Sequence, residues 1–326
     1  MPPFARRLLP IAATATLLLQ PWLQPKAAEL DELVVDWAFY NPVSLVLKSQ
    51  GLIEQAFEKD GIEVRWVQSH GSNKALEFLS ADAIQFGSTA GAAALVGRIN
   101  GNPIKSIYVY SKPEWTALVT TADSPIQKVE DLRGSSIAVT RGTDPHIFLM
   151  RALADAGLGA DDVTFVLLQH ADGRAALSRG DVDAWAGLDP MMASAELEEG
   201  AGLFYRDADA NSWGILNVRE EFATQHPEII DRVLAVYERG RKWALAHPDE
   251  LAALLADEAG IPVEVAKKQL GERTELTHNR IGEAQRTSIL EAGLALQKAG
   301  VVDASVDVEA VLDELIEPRF GEALAD

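Results

Sequence analysis

A polar turn between a strand and a helix is the part of the sequence best suited to bind an anion. It lies in IAVTRGTDPHIFLMRALADAG, residues 137–157, where β-branched residues give way to helical apolar spacing. The first turn of a helix has unpartnered N–H groups and a partial positive charge, which together attract an anion. Thr143 or Asp144 can cap this helix, and Pro145 suits its first position. The turn therefore predicts an anion site at a helix N-terminus.

Three neighbouring residues add donors to this site. Gly142 allows a ligand to approach the backbone closely, and the guanidinium of Arg141 presents a fork of donors that suits an oxyanion. His146 follows in the first turn and can also donate to an anion. The alternative interpretation is an ordinary capped helix whose arginine faces solvent.

A second candidate helix entry is GSTA, residues 87–90, which follows another strand-like run. Ser88 and Thr89 provide two hydroxyls beside exposed backbone amides. Small residues at such a place also serve simple helix-on-sheet packing, so this pattern alone is weak. Two such entries that face each other across a cleft would replace the hydration shell of an anion with fixed donors.

Further candidate ligand contacts lie in or beside predicted loops: Tyr40, Asn41, His70, Ser72, Asp189 and Trp213. Tyr40 and Trp213 can stack on the organic part of a ligand or pack in the core. Asp189 can receive a ligand amine or terminate a strand. The sequence has no pair of histidines one helical turn apart and no serine-triad or phosphate-loop motif, so we predict no metal site, no cofactor and no catalytic residue.

The elements around these residues repeat one pattern: an apolar strand, a short Gly/Ser/Thr/Asn loop and an amphipathic helix. The pattern occurs at residues 32–57, 62–81 and 83–99, and again after residue 135. This alternation predicts parallel strands joined by right-handed crossovers, hence an α/β fold. Ligands of such open sheets bind beyond the carboxyl ends of the strands, where the polar loops meet.

Composition limits the class of protein. The chain has 326 residues, 48% hydrophobic and 24% charged, which is typical of a globular protein with two lobes. Its net charge of −20 excludes binding to nucleic acid or an anionic membrane, because both require clustered Lys and Arg. Any bound anion must therefore be held by local donors.

The N-terminal segment, residues 1–28, places Arg6 and Arg7 before an apolar run and then small residues. This is the order of a secretory signal peptide, which we expect to be cleaved; an uncleaved anchor is the alternative. The sequence contains no cysteine, which excludes disulfides, thiolate zinc sites, thiol catalysis and a lipid-modified N-terminal Cys. These features together predict a protein of a Gram-negative periplasm.

A family resemblance rests on DSPIQKVEDLRGSSIAVTRGTDPHIFLMRAL, GRAALSRGDVDAWAGLDPMMASAE and QFGSTAGAAAL. The chain resembles the periplasmic solute-binding proteins of ABC importers for sulfonates, taurine and related anions, a superfamily that also contains nitrate, pyrimidine-precursor and flavin binders. The resemblance implies a type II, two-lobed venus-flytrap fold with two crossing strands and a helical C-terminal tail. We expect residues 29–111 and 212–326 to form one lobe and residues 112–211 the other.

The resemblance implies that the chain captures a small organosulfonate, alkanesulfonate or taurine-like, and delivers it to an ABC permease and ATPase complex. We expect a monomer without enzymatic activity. The alternatives are a binder of another small anion or pyrimidine precursor, and a ligand-sensing module for a membrane receptor. Aromatic sulfinate desulfinases also resemble the chain, but their reaction needs a cysteine nucleophile, which this sequence lacks.

Overall fold

The computed structural model describes residues 30–322 and 324, so the predicted signal peptide lies outside the described residues. The strands are β1 Glu32–Trp37, β2 Glu63–Gln68, β3 Phe86–Ala90, β4 Ile104–Pro113, β5 Leu118–Thr120, β6 Ser136–Val139, β7 Thr164–Leu167, β8 Ala184–Ala186, β9 Gly202–Tyr205, β10 Gly214–Arg219 and β11 Thr274–Glu275. The helices are α1 Pro42–Ser49, α2 Leu52–Phe57, α3 Ser72–Ser80, α4 Gly91–Ile99, α5 Asp144–Asp155, α6 His170–Arg179, α7 Met191–Glu199, α8 Glu220–Gln225, α9 Pro227–Ala246, α10 Pro248–Ala259, α11 Val263–Glu272, α12 Glu283–Lys298, α13 Val308–Leu315 and α14 Arg319–Glu322.

The strands form two sheets, one for each lobe of an α/β fold. The first sheet has the order β11-β4-β10-β3-β1-β2, and the second has the order β7-β6-β8-β5-β9. Parallel pairing joins β1 to β2 and β3, and β6 to β7 and β8, as the alternation of strands and helices predicts. Leu33, Val34 and Val35 of β1 are all buried, which is typical of a parallel strand covered on both faces.

Two connections pass between the sheets, at residues 114–117 and 206–213. The first connection begins only after Pro113, because β4 continues past the predicted lobe boundary at 111/112. The short strand β11 holds the end of β4 through the pairs Thr274–Pro113 and Glu275–Lys112. The lobe boundaries at 111/112 and 211/212 stay a prediction.

The chain after Glu220 is helical, as predicted, except for β11. The lobes touch through this tail and through α5, which packs against α4 and α12. Ile147 and Met150 of α5 belong to the buried cluster of the first lobe. Among the described helices, none is both long enough and apolar enough to cross a membrane.

Candidate functional site

The loops that follow the parallel strands of both sheets meet between the lobes. Tyr40 follows β1, His70 follows β2, Thr143 follows β6, His170 follows β7 and Leu188 follows β8. Each loop lies at the carboxyl end of its strand, where open α/β sheets bind ligands. The two lobes therefore present their polar loops to each other, and two connected cavities lie between them.

The inner of these, the central cavity, has a volume of about 10 Å³. It is lined by Tyr40, Ser72, Trp115, Thr143, Asp144, Pro145, His170 and Leu188. A volume of that size has room for about one water molecule. The central cavity is therefore too small for an organic ligand in this arrangement of the lobes.

The outer cavity, here called the cleft cavity, has a volume of about 630 Å³ and shares Tyr40, His170 and Leu188 with the central cavity. This volume lies within the range of small-molecule sites. Its apolar wall is formed by Phe39, Phe78, Leu188, Met191 and Ile261. Its polar wall is formed by Ser69, His70, Lys74, Gln169, His170, Arg174, Asp189 and Ser194. The cleft cavity can thus bind a ligand with one polar and one apolar end.

His170 lies where the two cavities meet. Its side chain is buried, and neither ring nitrogen has a hydrogen-bond partner in residues 30–322 and 324. Burial lowers the pKa of this imidazole to about 3, so the ring is neutral at physiological pH. A Cβ placed on Gly71 would lie 3.0 Å from Nε2 of His170, so the ring of one lobe packs directly on the backbone of the other. An acceptor in either cavity is the natural partner for this ring.

Two helices begin beside His170, one from each lobe. Helix α6 starts at His170 itself, and α3 starts at Ser72 in the opposite lobe; neither N-cap residue caps its helix with a side-chain hydrogen bond. The first N–H groups of both helices therefore lack intrahelical partners and face the region between the lobes. The start of α6 lines both cavities through His170, whereas Ser72 at the start of α3 lines the central cavity, together with Thr143 and Asp144 at the start of α5.

Three other side-chain atoms of the cleft cavity are also without partners inside residues 30–322 and 324. They are Oγ of the buried Ser69 and Ser194 and Oε1 of Gln169. An unsatisfied buried polar atom costs about 1–3 kcal/mol, so clustering of several in one cavity is unusual. The cations of the cavity are ion-paired, Lys74 with Glu77 at 2.6 Å and Arg174 with Glu198 at 2.7 Å. The hydroxyl of Ser194 and an N–H of the His170 ring are thus neutral donors without a partner in the described residues, whereas Oε1 of Gln169 is an acceptor.

The structure separates the predicted donors of the turn before α5. Arg141, Gly142 and His146 line a third cavity of about 410 Å³, the lateral cavity, which shares no residue with the other two. Gly142 has φ +78°, as a left-handed turn position requires. Burial, followed by the charge of Arg141, lowers the pKa of His146 to about 4. Their contact with the ligand stays a prediction.

Thr143 and Asp144 face the central cavity instead. The expected side-chain cap is not formed: Thr143 Oγ1 donates to the carbonyl of Thr140 at 2.6 Å. Asp144 points away from its own helix and accepts from Trp115 Nε1 at 2.8 Å and from Ser212 Oγ at 2.6 Å. Burial raises the pKa of Asp144, while these donors lower it. Asp144 thus fastens both connections between the sheets to α5.

The stretch at residues 87–90 leads directly into α4, but Ser88 and Thr89 lie within β3 and the helix begins only at Gly91, with Ala90 as its N-cap residue. Both hydroxyls are buried in the first lobe. Ser88 Oγ donates to Asp36 at 2.8 Å and accepts from Asn41 Nδ2 at 2.7 Å, and Thr89 Oγ1 accepts from Asn217 at 2.8 Å. The strand pairing and these bonds occupy the groups that sequence analysis assigned to an anion.

The remaining predicted residues are distributed around the site. Tyr40 lines both the central cavity and the cleft cavity, and its hydroxyl donates to the carbonyl of Ser88 at 3.0 Å. Ser72 lines the central cavity, and its hydroxyl accepts from Ala90 N at 3.0 Å. His70 lines the cleft cavity. Asp189 also lines it, but its carboxylate pairs with Arg273 at 3.2 Å. Trp213 packs edge-on against His278, with ring centroids 4.8 Å apart, and lines none of the three cavities.

Comparison with known families identifies the chain. Residues 56–251, more than half of it, match the family model described as NMT1/THI5 like. The chain belongs to the NMT1/THI5-like family. A relative in Bacillus subtilis (strain 168), named for the binding of aliphatic sulfonates, is 30% identical over 272 residues, which cover 82% of each chain.

Solved structures support the same fold for this family member. The alkanesulfonate-binding protein SsuA from Xanthomonas axonopodis pv. citri, bound to MOPS, superposes with a TM-score of 0.80 at 22% identity, covering 89% of this chain and 99% of that one. The desulfurization enzyme DSZB superposes with a TM-score of 0.66 at 17% identity, covering 90% of this chain and 98% of that one. At these identities both show a shared fold. The two-lobed binding-protein fold is therefore confirmed.

Two residues of this site escaped sequence analysis. His170 lies in the middle of the run VTFVLLQHADGRAAL, which has the same strand-to-helix pattern as the other junctions. Inspection of every such junction for a donor at the first helical position would have found it. Trp115 lies in the first connection between the lobes and lines the central cavity. An aromatic residue next to a break in the strand pattern is the sequence signal that could have indicated it.

In the described residues, no group of three or more His, Cys, Asp or Glu can hold a metal ion.

Proposed function

We propose that this protein is a periplasmic substrate-binding protein that captures an organosulfonate between its lobes and delivers it to an ABC permease. The observation that carries the proposal is the cleft cavity, which joins donors without partners in the described residues and the N-terminus of α6 to apolar lining residues. A sulfonate has only acceptor oxygens and stays anionic, so neutral donors and helix N-termini suit it. The ligands for which its relatives are named belong to the same class.

The size of the cleft cavity favours a ligand with a substantial organic group. The wall of Phe39, Phe78, Met191 and Ile261 has room for an alkyl or aromatic group beside the anionic head. Each buried CH₂ contributes about 0.8 kcal/mol, so hexane-1-sulfonate should bind at least about tenfold tighter than methanesulfonate. Taurine, whose ammonium would face this apolar wall, should bind weakly.

A ligand panel on the purified protein tests this proposal. Thermal unfolding with sulfonates of increasing length, taurine, sulfate, nitrate, carboxylates and pyrimidines ranks them in one experiment. A ligand at ~100 times its dissociation constant stabilises the folded protein by about 2.7 kcal/mol. Stabilisation by sulfate or pyrimidines alone, with none by any sulfonate, would refute the proposed ligand class.

The role of Arg141 can be tested by replacing one side chain in each cavity. Arg141→Ala should weaken hexane-1-sulfonate binding by less than about threefold, because the exposed guanidinium acts on a ligand in the cleft cavity only through a screened field. Ser194→Ala removes a neutral donor of the cleft cavity and should weaken binding about fivefold. Isothermal titration calorimetry measures both. A tenfold or larger loss in Arg141→Ala with none in Ser194→Ala would place the anion in the lateral cavity.

A further inference from the structure

We propose that His170 binds the anionic head of the ligand across the interface of the two lobes and takes up a proton as it does so, which makes ligand capture pH-dependent. This inference rests on the proposed function and concerns the regulation of the same site.

The geometry of His170 is that of a ligand-binding group. Its ring is only 1% exposed and lines both the central cavity and the cleft cavity. Its two nitrogen atoms have no partners in the part of the chain that the structure describes. A neutral imidazole needs one donor and one acceptor, whereas a sulfonate offers acceptors alone. A doubly protonated ring presents an N–H donor at both nitrogens, so acceptors alone satisfy it and no donor from the ligand is needed.

The charges around His170 decide the direction of the effect. The ionisable groups that share its two cavities are Tyr40, His70, Lys74, Asp144, Arg174 and Asp189. Lys74 and Arg174 are paired with glutamates, Asp189 is paired with Arg273, and Asp144 accepts from Trp115 and Ser212. None of these carboxylates therefore remains free to hold a proton on the imidazole. The positive N-termini of α3 and α6 also favour the neutral ring.

A bound anion changes the preferred protonation state of His170 from the neutral to the charged form. Without one, the buried ring is neutral, with a pKa of about 3. A sulfonate within hydrogen-bond distance favours the charged form, so the pKa of His170 is higher in the complex than in the empty site. Binding then takes up a proton, and the dissociation constant rises with pH until the pH exceeds the pKa in the complex. Each unit by which the pKa rises corresponds to tenfold in affinity.

The test uses hexane-1-sulfonate, which has no titratable group, and calorimetry from about pH 5.5 to pH 8 in buffers that are not themselves sulfonates. The dissociation constant of the wild-type protein should rise with pH across this range, by about tenfold for each pH unit below the pKa of His170 in the complex. His170→Gln retains a donor but cannot titrate, so its dissociation constant should be flat and near the high-pH value of the wild type. His70→Gln and His146→Gln should retain the pH dependence.

The outcomes are distinguishable. A wild-type dissociation constant that does not change with pH, or a dependence that survives in His170→Gln or vanishes in His70→Gln or His146→Gln, overturns the inference and leaves the proposed function standing. Failure of every sulfonate to bind the wild-type protein at any pH overturns both. Thermal unfolding of each variant verifies that it is folded, and His170→Asn replaces His170→Gln if that variant is not.

Discussion

Replacing Arg273 by leucine is expected to lower the free energy of unfolding by about 3–5 kcal/mol at pH 7.5. Nη1 of Arg273 lies 3.2 Å from both carboxylate oxygens of Asp189, and the two side chains are 1% and 0% exposed. Arg273 also pairs with Glu196. The change would leave the Asp189 carboxylate buried without its cation, which costs far more than the loss of an exposed ion pair. Denaturant titration measures the difference.

The pH dependence of this loss follows from Asp189. Burial raises its pKa to about 6, while Arg273 lowers it. Without Arg273, the pKa of Asp189 in the folded protein rises further above its pKa in the unfolded chain, so protonation of Asp189 stabilises the folded state. The loss in free energy of unfolding caused by Arg273→Leu should therefore become smaller as the pH falls from 7.5 towards 5.

Two further variants serve as controls for Arg273. Arg206→Leu breaks an ion pair with Glu114 in which Arg206 is half exposed, and should cost at most about 1 kcal/mol. Arg273→Met combined with Asp189→Leu removes both buried charges and should recover most of the stability. An Arg273→Leu variant no less stable than Arg206→Leu would mean that water reaches the Asp189 carboxylate.

Asp144→Ala is expected to destabilise the folded protein by about 3 kcal/mol or more. The carboxylate accepts from Trp115 Nε1 at 2.8 Å, from Ser212 N at 3.0 Å and from Ser212 Oγ at 2.6 Å. Each buried donor left without an acceptor costs about 1–3 kcal/mol. Because Trp115 and Ser212 lie on the two connections between the sheets, the change should also weaken ligand binding. Denaturant titration and calorimetry with hexane-1-sulfonate report the two effects.

Asp155→Ala is the matched control, since Asp155 is an exposed residue at the end of the same helix. Its effect on the free energy of unfolding should stay within about 0.5 kcal/mol. Equal stability of Asp144→Ala and Asp155→Ala would show that other groups satisfy the three donors.

Much of the fold could be predicted because local pattern and topology agree. The repeated pattern of strand, loop and helix indicates parallel strands in two lobes. The positions of Tyr40, His70 and Thr143 in loops follow from the same pattern. The extent of β4 could not be predicted, since Ser111, Lys112 and Pro113 are poor strand residues by themselves. Pairing with β11, some 160 residues later in the chain, extends the strand.

The side-chain roles at the site were harder to predict. A turn of six residues sends Arg141 and His146 to the lateral cavity and Thr143 and Asp144 to the central cavity. The sequence places these residues together, but successive side chains at a helix start point in different directions, so only the packing of α5 against the first lobe decides which cavity each one faces. Ser88 was misplaced for a related reason, because a strand continues through small residues when a neighbour pairs with it.

The sequence by itself determined the class of fold, the ends of the strands at which the polar loops meet, and the need for local donors to any anion in a chain of net charge −20. Those properties follow from periodicity, which is a feature of short stretches of sequence, and from composition, which is a sum over all residues. The tertiary structure decided which donors remain free: it buried Ser88 among partners, paired Asp189 with Arg273, and left His170 without a partner among the residues that the structure describes. Hydrogen-bond satisfaction depends on residues far apart in the chain, and only the folded arrangement brings them together.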